Sequence, residues 1–190
     1  MQYQPSAQFR ALVAATALVW LVAEARQGRR RRPEAPAAAH GGTGVLRAAA
    51  LAGFAAAYAL ALGVPGAGTG RGWAWAGLAL WWCALALRGW SFHALGRYFT
   101  FTVRTSPDQP VIDTGPYRYV RHPGYTALLL AVVALGLVIG NWLSPLALTA
   151  AFTAGLVHRI RVEEQALLHT LGERYRSYAR GRKRLVPGLW

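Results

Sequence analysis

Five apolar runs succeed one another along the chain. Ala11 to Ala25 is interrupted only by Glu24, Val45 to Val64 only by Arg47 near its start, and Trp73 to Leu87 stops at Arg88. Tyr125 to Ile139 and Trp142 to Val157 follow, separated by Gly140-Asn141. A helix needs roughly 20 apolar residues to cross a hydrocarbon core about 30 Å thick. The second run meets that length, whereas the last two need their flanks or a locally thinner membrane. So short a connection between the fourth and fifth runs predicts an antiparallel helical hairpin. Beyond them, Leu167, Leu168, Leu171 and Tyr175 recur at helical spacing, which predicts a helix with one apolar face leaving the membrane, ended by Gly181 and Pro187. The pattern predicts an all-α integral membrane protein with about five transmembrane helices, the last two a hairpin, and a cytosolic C-terminal helix and tail.

The polar stretches between the runs carry the rest of the organisation. Arg26 to Gly44 is Arg, Pro, Ala and Gly without apolar periodicity and reads as a flexible basic loop. Arg88 to Gly124 is too polar to cross lipid and contains Pro107, Pro110, Pro116 and Pro123, which predicts a folded or lipid-adjacent loop with little long helix. Ala23-Glu24-Ala25 has the small-x-small form of a signal-peptide cleavage site. A signal peptide carries its positive charge before the apolar core, however, and here Arg29 to Arg32 follow it, as expected of a first membrane helix ending at a cytoplasmic basic cluster.

Composition agrees. Of the 190 residues, 54% are apolar and only 15% charged, below the ~25% of soluble domains. Eight Trp and eight Tyr suit the level of lipid headgroups. A formal charge of +14 raises the question of nucleic acid, so the placement of the basic residues decides. With the N-terminus outside and five spans, 19 of the 21 Lys and Arg fall on the inner side, leaving only Arg10 and Arg71 outside. That asymmetry is the positive-inside pattern, and it removes nucleic acid as a partner. The single cysteine, Cys83, has no partner for an internal disulfide.

Three polar clusters then share the inner face: Arg88 with His93, the stretch Gly115 to Tyr125, and Arg159 with Arg161, Glu163 and Glu164. Arg88 and Arg159 can be read as snorkelling to the interface or as holding an anionic group of a lipid-borne substrate, for which Arg offers a planar fork of donors. His122 precedes Pro123, which restricts its backbone to extended conformations and favours a placed side chain. Glu163-Glu164 can form ion pairs, bind a cationic or polyhydroxylated ligand, or begin the helix running through Leu171, where negative charge favours the first turn. The five histidines lack metal-ligand spacing, there is no Cys pair, and no Gly-rich phosphate loop is present, so no metal is predicted.

Gly115-Pro116-Tyr117 through Arg121-His122-Pro123-Gly124-Tyr125, then Glu163-Glu164, then Leu171-Gly172-Glu173-Arg174-Tyr175-Arg176-Ser177-Tyr178, resembles the isoprenylcysteine carboxyl methyltransferase family and its phospholipid methyltransferase relatives. Arg88 through Leu95-Gly96-Arg97-Tyr98-Phe99 is similar to the family's lead-in. The resemblance covers residues 73–190, a methyltransferase region, whereas 1–72, with the basic loop 26–44, match only as membrane helices. It implies an S-adenosylmethionine-dependent methyltransferase without a Rossmann domain. By that resemblance His122 and Tyr125 would contact the cofactor and Arg121 would support the pocket. Glu163 and Glu164 would hold polar groups of the cofactor or order the pocket, and Arg88 and Arg159 would lie near the acceptor carboxylate. The expected partners are membrane lipids and a lipid-borne or amphipathic acceptor, with the active site and C-terminus cytoplasmic. Three alternatives remain open here: methylation of an amine or thiol, an NADPH-dependent membrane reductase, and a non-catalytic protein binding anionic lipid. The basic run Arg180 to Arg184 differs from eukaryotic members, which bears on recognition of a protein acceptor.

Overall fold

The computed structural model describes residues 5–29, 37–39, 42–63, 70–98, 103–104, 109–139 and 143–190. Over their described residues all five apolar runs are helices, each extending past its apolar stretch at one end or both: α1 (Ala7–Arg29), α2 (Gly42–Gly63), α3 (Arg71–Leu95), α4 (Pro123–Ile139) and α5 (Leu143–Leu171). A short amphipathic helix, α6 (Glu173–Arg180), follows. Among the described residues three helices are long and apolar enough to cross a membrane, namely α1, α2 over Thr43–Leu60, and α5, while α4 is a shorter apolar helix of 17 residues. Leu18, Leu21, Leu51 and Tyr58 are exposed on α1 and α2, as expected of surfaces whose solvent is lipid. The chain is an integral membrane protein.

The helices alternate in direction. Phe9 lies edge-on to Trp75 with ring centroids 5.0 Å apart, and Glu24 pairs with Arg88, so α1 and α3 run parallel. Gly77 packs against Ala134 while Arg88 reaches Gly124, so α3 and α4 are antiparallel. Gly155 meets Ala49 and Ser144 Oγ donates to the carbonyl of Ala57 at 2.9 Å, which sets α2 antiparallel to α5. Small residues permit these approaches: a Cβ at Gly77 would stand 2.8 Å from the Ala134 carbonyl oxygen, and one at Gly155 2.7 Å from the Ala49 Cβ. Close backbone approach through small residues is how membrane helices gain packing where lipid removes the hydrophobic drive between them. Leu148, Phe152, Leu156 and Ile160 of α5 form the main core with Ala57 and Val132. The hairpin of α4 and α5 is as expected, with Pro145 packed onto Gly136; Gly140-Asn141 lies outside the described residues.

Several expectations are corrected. The basic loop is shorter than Arg26 to Gly44, because α1 continues to Arg29 and Ala37–Ala39 forms β1; Arg30 to Arg32 lie outside the described residues. β1 pairs antiparallel with β2 (Val103–Arg104), Ala37 opposite Arg104 and Ala39 opposite Val103. Two connections at the same end of the bundle thereby satisfy each other's backbone groups, which is a small departure from an all-α fold. Arg88 does not end its helix, since α3 runs on to Leu95. Glu163 and Glu164 do not begin a helix either: α5 passes through them unbroken for 29 residues, roughly 44 Å, well beyond a 30 Å core. Its stop is Gly172, at φ 57°, a left-handed position that glycine tolerates without a Cβ clash. Tyr175 consequently belongs to α6.

Candidate functional site

The polar residues singled out from the sequence converge at one end of the bundle around a cavity of about 290 Å³. Arg88, Arg121, His122, Tyr125, Arg159 and Glu163 all line it. The stretch that positions three of them is held by the tail. A short 3-10 turn at Gly115–Arg118 leads to Val120, which bridges in parallel to Lys183. The Arg121 N–H donates to the Lys183 carbonyl at 2.8 Å, and the His122 N–H to that of Arg184 at 2.9 Å. Pro123 then opens α4, where a missing N–H costs nothing. His122 is thus fixed by backbone on both sides, and its ring stacks on Tyr125 at 5.6 Å.

Glu164 is the anchor behind this wall. Its Oε1 accepts from Arg121 Nη1 at 2.6 Å and lies 3.3 Å from His122 Nε2, and its Oε2 accepts from Arg184 Nε at 2.9 Å. It is buried and does not line the cavity. Glu163, the next residue, points the other way. Tyr125 Oη donates to Glu163 Oε2 at 2.5 Å, Arg159 Nε donates to Tyr125 Oη at 3.0 Å, and Arg159 Nη1 donates to Thr43 Oγ1 on α2 at 3.1 Å. His122 Nδ1 stands 3.9 Å from Glu163 Oε1. Adjacent carboxylates therefore do different jobs: one ties the wall together, and the other faces the space.

The two candidate anion-binding arginines do not snorkel. Arg88 is 5% exposed and Arg159 3%. Arg88 forks onto Glu24, Nε to Oε1 at 2.7 Å and Nη2 to Oε2 at 3.2 Å, while Nη1 donates to the Gly124 carbonyl at 2.8 Å. Glu24 is a residue that sequence reasoning passed over except as part of a cleavage-site pattern. Its placement depends on α1 running beside α3, which no local motif encodes.

Tyr117, Tyr175 and Tyr178 close the cavity from below α5. Tyr178 Oη donates to the Tyr117 carbonyl at 2.9 Å, whereas the buried Tyr175 hydroxyl has no hydrogen-bond partner among the described residues. Burial raises the pKa of all three hydroxyls, that of Tyr178 to about 12 and those of Tyr117 and Tyr175 further. They are neutral phenols at physiological pH, able to donate hydrogen bonds and unsuited to act as bases.

Residues 77–169 match the model of the isoprenylcysteine carboxyl methyltransferase (ICMT) family. The match spans just under half of the chain, which is similar to that family over this stretch. An uncharacterized protein of Bacillus subtilis, YpbQ, is 28% identical over 96 residues, 46% of this chain and 56% of that protein. A probable protein-S-isoprenylcysteine O-methyltransferase of rice (Oryza sativa) is 35% identical over 86 residues, 44% of this chain and 45% of the relative. The protein-S-isoprenylcysteine O-methyltransferase of Schizosaccharomyces pombe is 28% identical over 105 residues, 54% of this chain and 43% of the relative. The chain spans about half the length of the curated relatives it matches. Its fold is similar to that of a solved eukaryotic intramembrane Ras methyltransferase ICMT, with TM-score 0.60 and 22% identity, covering 75% of this chain and 52% of that one. Arg88, Arg121, His122, Tyr125, Arg159, Glu163 and Glu164 all lie within the ICMT-family stretch, whereas Glu24, Thr43, Arg47, Tyr175 and Arg184 complete the site from outside it.

Proposed function

We propose that the protein transfers a methyl group from S-adenosylmethionine to a carboxylate on a lipid-borne or amphipathic acceptor. The observation that carries this reading is the joining, in one cavity, of an arginine-bearing side built on α2, α3 and α5 with a carboxylate- and tyrosine-bearing side built on α4, α5 and α6. The donor set fits the cofactor. Glu163 offers a carboxylate to its cationic groups, the rings of Tyr117, Tyr125, Tyr175 and Tyr178 favour a cation or an aromatic base, and the Tyr175 hydroxyl is a buried donor awaiting an acceptor. His122 and Tyr125 line that side, Arg121 supports it, and Glu164 orders it. When bound, S-adenosylmethionine supplies a sulfonium methyl: a carboxylate oxygen forms the O–C bond as the C–S bond breaks, the electron pair goes to sulfur, and no proton moves.

Such a step asks the protein for orientation at about 3 to 3.5 Å and for exclusion of water. Arg88 and Arg159 do this by fixing the walls, each already bound to the protein. An amine acceptor would need a base to take its proton. Glu163 is already bonded to Tyr125, the tyrosines are neutral, and His122 is held beside Glu164, so the site favours a nucleophile that arrives deprotonated. Protein in neutral-lipid nanodiscs, given S-adenosylmethionine carrying a radiolabelled methyl group, is expected to label N-acetyl-S-farnesylcysteine as a base-labile methyl ester. Label in phosphatidylethanolamine instead, or in neither, would sink this reading.

The alternation of helix directions also supports five spans, and the Lys and Arg asymmetry supports α1 starting outside with the cavity at the cytoplasmic end. Single cysteines introduced at Arg71 and Arg182, in protein whose Cys83 is replaced by serine, should react with an impermeant thiol reagent from opposite sides of sealed vesicles; labelling from the same side would exclude this topology.

A further inference from the structure

Four arginines line the cavity: Arg47, Arg88, Arg121 and Arg159. Three are bound within the protein. Arg88 is matched by Glu24, Arg121 by Glu164, and Arg159 by the Tyr125–Glu163 pair, with Glu163 Oε2 4.0 Å from its Nε. Arg47 differs. It is exposed while lining the cavity, and it makes no hydrogen bond or ion pair with any of the described residues. On α2 it stands one turn after Thr43, the residue that receives Arg159 Nη1, so it belongs to the Arg159 side of the cavity. Leu46 and Leu128, which also line the cavity, give that side an apolar lining.

Charge points the same way. Among the described lining residues Glu163 is the one carboxylate, and it already serves Tyr125 and Arg159. Among the described residues Arg47 is therefore the lining arginine without a carboxylate partner, and a cationic methyl donor would add to its positive charge. An arginine that served only to set topology or reach the headgroups would have no reason to line the space.

We propose that Arg47 receives the anionic group of the acceptor, a carboxylate on an amphipathic molecule whose apolar chain lies against Leu46 and Leu128. This rests on the carboxylate reading above and names the residue that recognises it. Arg47 binds the acceptor before transfer and loses its charge partner once the carboxylate becomes a neutral ester, so it favours substrate over product.

Equilibrium binding in phosphatidylcholine nanodiscs, with no methyl donor present, tests this. The parent protein should bind N-acetyl-S-farnesylcysteine about tenfold more tightly than its carboxamide, the ratio expected of one charge-assisted contact. Arg47→Gln should abolish that preference, Arg47→Lys should keep part of it, and Arg71→Gln should leave it intact. No preference in the parent, or a preference that survives Arg47→Gln, overturns the proposal. A second arm replaces part of the lipid with phosphatidylglycerol: if Arg47→Gln weakens retention of the anionic lipid yet leaves the carboxylate preference untouched, the residue serves a headgroup phosphate and the proposal falls. A parent protein that prefers the carboxylate but transfers no methyl group refutes the proposed reaction while leaving this assignment standing.

Discussion

Glu164→Ala is expected to abolish binding of S-adenosylmethionine and to lower the melting temperature of the ligand-free protein. The buried carboxylate receives the partly buried Arg121 and Arg184 and stands against the buried His122. Removing one partner of a buried ion pair leaves the other charge uncompensated, at about 3–5 kcal/mol. Here two guanidinium groups are released together, and one of them also holds the Arg182 carbonyl through Nε at 2.9 Å. The tail would lose its hold on residues 120–122, so the wall that carries His122 and Tyr125 would loosen. Glu164→Gln separates charge from shape. It keeps an acceptor for Arg121 but not the charge, and should retain the fold with methyl-donor affinity at least tenfold weaker. Calorimetric titration and thermal melting of both variants check this; donor affinity unchanged in Glu164→Ala would show that the wall stands without its anchor.

Glu24→Ala should destabilise the protein by a comparable amount, about 3–5 kcal/mol, although it lies outside the family-matched stretch. It strands Arg88, whose side chain is 5% exposed and has no bulk water to turn to. Arg88 also holds the Gly124 carbonyl, next to Tyr125, so the damage should reach turnover as well as stability. The double variant Glu24→Leu with Arg88→Met should recover much of the melting temperature, because replacing a buried pair by apolar groups of similar size is often close to neutral. It should not recover activity if the Arg88–Gly124 contact positions α4. A double variant as unstable as Glu24→Ala would mean that the pair is not an isolated unit, and that α1 is held mainly through it.

Much of this was legible in the chain. Five apolar runs gave five helices, and two residues between the last two runs sufficed for the hairpin. The proline-bounded stretch and the Glu pair, some forty residues apart, do meet. Helix ends were less legible, for reasons specific to each. Apolar periodicity falls off at Val157, yet Arg159 to Gln165 are mostly good helix formers, so α5 continues until Gly172 stops it. Ala37–Ala39 has no strand propensity of its own and is a strand only because residues 103–104 lie beside it. Glu24, Thr43 and Arg47 went unassigned because each looks like an ordinary polar residue near a helix end. Their meaning comes from which helices pack side by side, and that is a property of the assembled bundle.

The joining of the tail to residues 120–122 also bears on the order of events during synthesis. The N–H groups of Arg121 and His122 bond to the carbonyls of Lys183 and Arg184, which follow them by about sixty residues. At 5–20 residues per second, those acceptors leave the ribosome roughly 3 to 12 s after the donors do. All five long helices are complete by Leu171, ahead of the segment that fixes His122. Helix insertion and completion of the cavity wall are thus separate in time, the wall forming after the five long helices.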